Sequence, residues 1–348
     1  VKGMGSLTYR FFFFFCLMFR TGINRASNLS QDRRFFDTYV IANSGYFGMN
    51  TNAFTEINNE LLLSYNTTFG DFNLSANAGA NFKQTKGYGL STTASELVNE
   101  NIFTFNNAAS GKLSSTESFN SYKKNSIYGS ADLAFRKYLV FTVQARNDFS
   151  SSLPSYNRSY PYGSLGLTAI ISDMVKMPEA INLLKLRASV AQTGIDAQPY
   201  QTSQYYSISA GGAIGKSNTK IADSLKPEIT TAQEYGIDMG FLNNRLGLEF
   251  TYYKTNSKNQ LVSVRTPPAS GYDSKFINAG NVQNSGIELT LNFVPIRNKD
   301  FTWSGFVNYS KNKNKVIEIA PNSPEFTLRG DFINLTKIVE GRPFGEMY

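Results

Sequence analysis

The side chains able to do chemistry in this sequence are few, and one kind is missing altogether. There is no histidine among the 348 residues, so no His-based triad, general base or imidazole metal ligand is available. Cys16 is the single cysteine, which rules out an intramolecular disulfide and a cysteine-built metal site. Membrane-barrel hydrolases, whose nucleophiles rely on such a base, are therefore disfavoured. What remains is carboxylate chemistry. Asp132, Glu234, Asp238, Glu249 and Glu288 each fall on the polar side of an alternating segment, where they are expected to line a wet interior or pair with Lys185 and Arg187. Gly215–Lys216–Ser217 has the ending of a phosphate-binding loop, but Ala210 stands where that motif needs its first glycine, and no helix follows. Asn66–Thr67–Thr68 and Asn308–Tyr309–Ser310 match the glycosylation pattern, which is irrelevant if the host is bacterial. The sequence thus assigns no catalytic, cofactor-binding or metal-ligating residue, and leaves the substrate-binding residues unassigned.

The elements that carry these residues announce themselves by period-two alternation. In 72–83, Phe72, Leu74, Ala76, Ala78, Ala80 and Phe82 alternate with Asn73, Ser75, Asn77, Gly79, Asn81 and Lys83. The same rhythm sets Leu139, Phe141, Val143 and Ala145 against Val140, Thr142, Gln144 and Arg146. It recurs at 246–252 and 287–293, and further candidates are 57–67, 126–135, 161–171, 184–192, 232–241 and 301–310. Segments of about ten residues suit a tilted strand crossing a bilayer. The apolar run Phe11–Phe19 is too short for a membrane-spanning helix. It is expected to be a lipid-facing strand with an apolar inner face rather than a signal-peptide core, since no small-residue cleavage site follows.

Connections separate a barrel from a soluble sandwich. Tight links at Gly70–Asp71, Arg136–Lys137, Asn243–Asn244 and Asn298–Lys299, with a moderate link at 172–183 expected to hold a short helical turn, alternate with long segments 84–125, 148–160, 193–231 and 256–285. Short periplasmic turns and long extracellular loops give that parity in antiparallel outer-membrane barrels. Composition agrees: 28 Phe and 20 Tyr accompany only 17% charged residues, as expected when every second residue faces lipid and the rest face water. The net charge of +8 is dispersed among interleaved acids, which argues against nucleic-acid binding. The long segments are rich in Asn, Ser, Gly and Tyr, as in Ser203–Gly215 with Tyr205, Tyr206, Gly211 and Gly212. Such surfaces are ordinary solvated loops, or contact neutral polar ligands by ring stacking and amide hydrogen bonds.

From residue 146 onward the sequence resembles the SusC/RagA family of TonB-linked outer-membrane transporters of Bacteroidetes-type bacteria. The resemblance is carried by Arg146–Asp148 (RND) with SSSLPSYNRSYPYGSLGL, and by LKLRASVAQTG at 184–194. It continues in LKPEITTAQEYGIDMGFLNNRLGLEFTYYKTNSKNQL at 225–261, SGYDSKFINAGNVQNSGIELTL at 270–291, FTWSGFVNYSKNKNKV at 301–316 and EGRPFGEMY at 340–348. RTGINR at 20–25 and NNELLLSYN at 58–66 are weaker matches. The resemblance implies a barrel of about 22 strands around a plug, importing oligosaccharides or peptides with a SusD-like lipoprotein lid and energy delivered through TonB. Residues 1–348 then read as a partial barrel domain of about eleven antiparallel strands embedded in outer-membrane lipid, with the plug and the closing strands absent. The terminal aromatic Tyr348 is not preceded by an alternating strand, so it is not read as a barrel-closing signal. An open sheet leaves backbone groups bare in lipid, so this stretch alone is expected to be inactive. The alternatives are a siderophore or cobalamin receptor and a passive porin or adhesin; none of the three is an enzyme or requires a cofactor.

Overall fold

The computed structural model describes residues 1–38, 43–208, 212–222, 225–319, 325–330 and 335–347. Ala210, Gly211 and Tyr348 lie outside the described residues. The first strands are β1 (Lys2–Phe11), β2 (Phe15–Arg34), β3 (Tyr46–Phe69), β4 (Phe72–Ala94), β5 (Leu113–Phe135) and β6 (Leu139–Ser150). β7 (Ser159–Ile170) and β8 (Ile181–Ile195) flank a single helical turn, α1 (Ile171–Met174), at the place where one was expected. Three short strands follow, β9 (Tyr206–Ile208), β10 (Ile214–Lys216) and β11 (Thr219–Ile221). Then come β12 (Glu228–Phe241), β13 (Leu246–Arg265), β14 (Ser274–Arg297) and β15 (Thr302–Glu318), and a separate small sheet of β16 (Glu325–Gly330), β17 (Leu335–Val339) and β18 (Glu346–Met347). The main sheet runs β1-β2-β3-β4-β5-β6-β7-β8-β12-β13-β14, with β15 and β11 both on β14. The pairings β6-β7-β8-β12-β13-β14-β15 are antiparallel, whereas β11 pairs parallel with Ser274–Phe276 of β14. Packing divides the chain into two units, Val1–Tyr9 with Met18–Leu61 and Ala80–Asn125, and Arg10–Leu17 with Leu62–Gly79 and Ser126–Tyr348.

Register explains why the alternation is there. In the second unit Leu248 lies opposite Met239 and Leu291, and Phe250 opposite Ile237 and Leu289. One residue along, Glu249 lies opposite Asp238 and Thr290, and Thr251 opposite Gly236 and Glu288. Side chains of a strand point alternately to the two faces, so these rows make one apolar and one polar face. The apolar side chains stay exposed, Phe141, Leu165, Leu167, Leu186 and Tyr235 among them. A water-soluble sheet would hide such a face; this one is built for a nonpolar solvent. The buried clusters lie toward the loop ends of the strands instead. Phe47, Ala94 and Leu97 pack with Phe36, Phe103 and Phe105 in the first unit, and Leu153, Tyr160 and Ala197 in the second.

The turns keep the expected parity. Short connections occupy 12–14, 70–71, 136–138, 242–245 and 298–301, with α1 in the moderate 171–180, while the other ends of the strands carry 35–45, 95–112, 151–158, 196–227 and 266–273. Arg136 and Lys137 take consecutive positive φ angles of 46° and 68°, the pair that matches a two-residue hairpin to strand twist. Arg136 also reaches the preceding short turn, its Nε donating to Asp71 Oδ2 at 2.7 Å, and that hydrogen bond raises the guanidinium above its ordinary pKa.

Two expectations are corrected. The run Phe11–Phe19 is not one strand: Phe12–Phe14 form a hairpin turn, with Phe12 at φ 60°, between β1 and β2. Part of its apolarity belongs to an aromatic cluster beside the turn, while Phe12 and Phe13 stay exposed. Phe11 stacks on Phe15 at 5.7 Å, and Phe14 and Phe15 lie 6.2 and 4.8 Å from Tyr65. Splitting that run gives twelve long strands among the described residues, in keeping with the expectation of about eleven. The long loops are also shorter than expected, because β4 and β5 reach 23 residues each and β14 reaches 24. Alternation of hydropathy ends where both faces meet water, whereas the hydrogen-bonded ladder needs only backbone and continues.

In a Cys16→Ser background, cysteines placed at Glu249 and Thr251 are expected to react with a membrane-impermeant maleimide at least about tenfold faster than cysteines at Leu248 and Phe250, because only the first pair faces water. Equal labelling of all four sites in membranes contradicts the face assignment.

Candidate functional site

On the polar face of β5–β7 the second unit holds a recess of about 330 Å³, lined by Tyr128, Ser130, Gln144, Arg146, Tyr162 and Ser164. Strand geometry assembles it. Gln144, Arg146 and Asp148 share one face of β6, and their register partners on β7 are Ser164, Tyr162 and Tyr160. Small residues keep the wall tight: a Cβ on Gly163 would overlap the Gln144 carbonyl oxygen.

Asp148 is the anchor. Its carboxylate is fully buried, with Arg146 Nε donating to Oδ1 at 2.7 Å and Tyr162 Oη donating to Oδ2 at 2.9 Å. Arg146 Nη2 donates to Ser126 Oγ at 2.9 Å, and the guanidinium lies 5.6 Å from the Tyr128 ring centroid. The arginine side chain keeps 35% of its surface accessible, so the pair presents a fixed cationic edge to the recess. A buried carboxylate is tolerated only when charged and hydrogen-bonding partners replace its lost water. Here two rigid neighbours do so. What the arrangement offers is hydrogen-bond donors, amides and aromatic faces, a set suited to recognition.

The connections beyond the long-loop ends of β6 to β8 are tied to one another. Ser150 Oγ and Ser152 Oγ lie 2.9 Å apart, Thr202 Oγ1 donates to the Ser152 carbonyl at 2.6 Å, and Asn157 Nδ2 to the Leu225 carbonyl at 2.7 Å. Tyr160, stacked on Tyr162 with centroids 6.1 Å apart, sits at the loop end of β7, outside the alternating segment. Burial pushes its phenol pKa up, and nearby Asp196 and Asp148 add to the rise.

The carboxylates singled out from sequence lie on the polar face as expected. Asp238 is bridged by Arg187 at 2.8 Å and Lys185 at 3.3 Å, the pairing anticipated for it. Asp132 accepts a hydrogen bond from Thr142 Oγ1 at 2.5 Å. Glu249 stands opposite Asp238 in register, while Glu288 lies opposite Thr251 and Glu234 opposite Tyr253, farther along β13. Tyr205 and Tyr206 are exposed in the 196–227 connection, away from the recess lining. Lys216 belongs to β10 and lies 3.7 Å from the Tyr272 ring centroid, and no helix begins there to receive a phosphate. Sequence reasoning missed the centrality of Arg146 and Asp148; the Arg-x-Asp spacing in a strand, which puts both charges on one face, was the available signal. It also missed a recess of about 320 Å³ in the first unit, lined by Asn28, Asn52, Tyr88, Ser118 and Asn120 around Gly87 and Gly89.

Comparison with known proteins gives a consistent picture. Residues 5–337 match the family described as TonB dependent receptor-like, beta-barrel. "TonB-dependent receptor P3" of Formosa agariphila is 29% identical over 95% of this chain and 35% of its own length. "TonB-dependent receptor SusC" of Bacteroides thetaiotaomicron is 29% identical over 61% of this chain and 23% of its own length. The solved structure of the RagAB peptide transporter has a TM-score of 0.83 at 20% identity, covering 98% of this chain and 39% of that one. The chain thus spans about a third or less of the length of these curated relatives.

Asp148→Ala is expected to destabilise the folded chain by about 3–5 kcal/mol, the cost of stranding a charge at a buried pair. Tyr162→Phe, which removes one hydrogen bond to a charged group, should cost about 1.5–3 kcal/mol. Urea midpoints of the membrane-assembled protein measure both, and equal stability of wild type and Asp148→Ala contradicts the anchoring role.

Proposed function

Because this chain belongs to the TonB-dependent receptor-like β-barrel family, we propose that it forms part of the wall of an outer-membrane transporter importing oligosaccharides or peptides. Its place is the bacterial outer membrane, and its family is one of receptors and transporters, not enzymes. The observation that carries the reading is the polar face. It sets amides, hydroxyls, tyrosine rings and one fixed guanidinium around a recess, with Asp132, Asp148 and Asp238 held by Thr, Arg and Lys. Sugar hydroxyls and peptide groups are neutral and rich in hydrogen-bonding sites, and such walls bind them by stacking and amide pairing.

In this reading residues 1–348 supply about half of a larger barrel, and the plug and remaining strands belong to other parts of the polypeptide. The short share of the relatives' length that the chain covers supports that division. A SusD-like surface lipoprotein is the proposed partner on the long-loop side. TonB supplies the energy through the plug and its leading segment.

Uptake of labelled peptides and oligosaccharides by cells with and without the gene, and with and without TonB, tests this. Loss of either is expected to lower uptake of one of the two classes at least about tenfold, with Gln144→Ala plus Ser164→Ala weakening binding of that substrate by about threefold to tenfold per hydrogen bond lost. Uptake that persists without TonB makes the barrel a passive pore, and a defect confined to iron–siderophore uptake replaces the substrate class.

A further inference from the structure

The apolar face of β13–β15 records depth in the membrane, row by row. From the short-turn end the register gives Leu246–Phe293–Gly305, Leu248–Leu291–Val307 and Phe250–Leu289–Tyr309. The next row is Tyr252–Ile287–Lys311, with Tyr235 of β12 opposite Tyr252. Above it come Lys254–Ser285–Lys313, Asn256–Gln283–Lys315 and Lys258–Asn281–Glu318. Aromatic side chains with a polar tip collect where hydrocarbon meets headgroups, so Tyr235, Tyr252 and Tyr309 mark that boundary. Immediately above it stand five lysines on the same face, Lys254, Lys258, Lys311, Lys313 and Lys315.

Their spacing is dense. A rise of about 3.4 Å per residue places Lys311, Lys313 and Lys315 within about 14 Å, and two strand spacings put the β13 lysines about 10 Å to the side. The neighbouring β12 positions on this face are Gln233, Thr231 and Ile229, and Glu318 is the only carboxylate in these rows, in the last of them. Other lysines of this chain find carboxylates, as Lys83 does with Glu56 at 2.7 Å and Lys185 with Asp238 at 3.3 Å. None of the five forms an ion pair among the described residues. A patch of like charges without internal partners is costly unless a counter-charge arrives from outside.

We propose that this patch binds the phosphate groups of anionic glycolipid headgroups in the outer leaflet, with their acyl chains lying on the leucine and phenylalanine rows beneath. Continuity with the lipid-facing rows and the tyrosine boundary selects a lipid over a soluble acidic protein, since the lysines sit at headgroup depth. The inference rests on the outer-membrane location and is independent of which nutrient is carried.

The test uses the full-length protein that contains this chain, purified from outer membranes, with Lys254→Gln/Lys313→Gln/Lys315→Gln as the variant. Binding of a purified phosphorylated outer-leaflet glycolipid and of its dephosphorylated form is measured by native mass spectrometry. The triple variant is expected to bind the phosphorylated form at least tenfold more weakly, each lysine at an anionic surface contributing about fivefold. Wild type should bind the dephosphorylated form as weakly as the variant does, and millimolar inorganic phosphate should not compete. Lys137→Gln, in a short turn at the opposite end of the strands, should bind as wild type. Should the triple variant fail to assemble, Lys313→Gln alone is expected to lose about fivefold, and added salt to weaken the wild type. Unchanged binding by the variants, equal binding of the dephosphorylated glycolipid, or displacement by inorganic phosphate overturns the proposal. So does a variant that keeps the glycolipid and loses only a surface lipoprotein.

Discussion

A peptide group that leaves water must find its hydrogen bond within the protein, and in hydrocarbon there is no second chance. The architecture of this chain follows from that constraint. Twelve long strands pair with their neighbours in chain order, so that donors and acceptors along each strand face partners on the next. Neighbour-to-neighbour antiparallel pairing requires a hairpin at every strand end, which is why short turns such as Arg136–Lys137 and Asn243–Asn244 take left-handed backbone angles. With backbone needs met by the ladder, the side chains are free to serve two solvents, one on each face.

That division decides where specificity resides. The apolar face needs only bulk and hydrophobicity, and Leu, Phe, Ile and Met occupy it almost interchangeably. The polar face has stricter requirements. Arg146 and Tyr162 reach the buried Asp148 from fixed positions on β6 and β7 and help to replace its lost water, and those bonds in turn hold the guanidinium where it edges the recess. Asp238 repeats the pattern with Lys185 and Arg187. Charges bound in this way stiffen the polar face, and their neighbours Gln144, Ser164 and Tyr128 line the recess. The network of Ser150, Ser152, Thr202 and Asn157 ties the neighbouring connections together.

Most of the strands were legible because alternation is a local property: Leu246–Tyr252 declares its faces without reference to any other segment. Strand ends were not. Asn256–Arg265 and Lys83–Ala94 continue as strand although water on both faces erases the hydropathy rhythm. The phenylalanine run misled for a related reason. Five consecutive rings look like a strand buried on both sides, but their apolarity serves a turn packed against Tyr65. The lysines of β15 were visible as a polar run, yet their meeting with Lys254 and Lys258 depends on register.

By itself the sequence determined the period of two, the parity of the connections and the absence of imidazole chemistry, since each is written in residue order and type. Only the tertiary structure decided which side chains meet. Arg146 and Asp148 are two residues apart and share a face by strand geometry alone, but Tyr162, Ser126 and Tyr128 join them through hydrogen-bonded register between strands. A shift of one residue in that register would send each of these side chains to the lipid side. Register is set by turn geometry and by the match of hydrophobic faces between strands, and that match exists only once two segments pair.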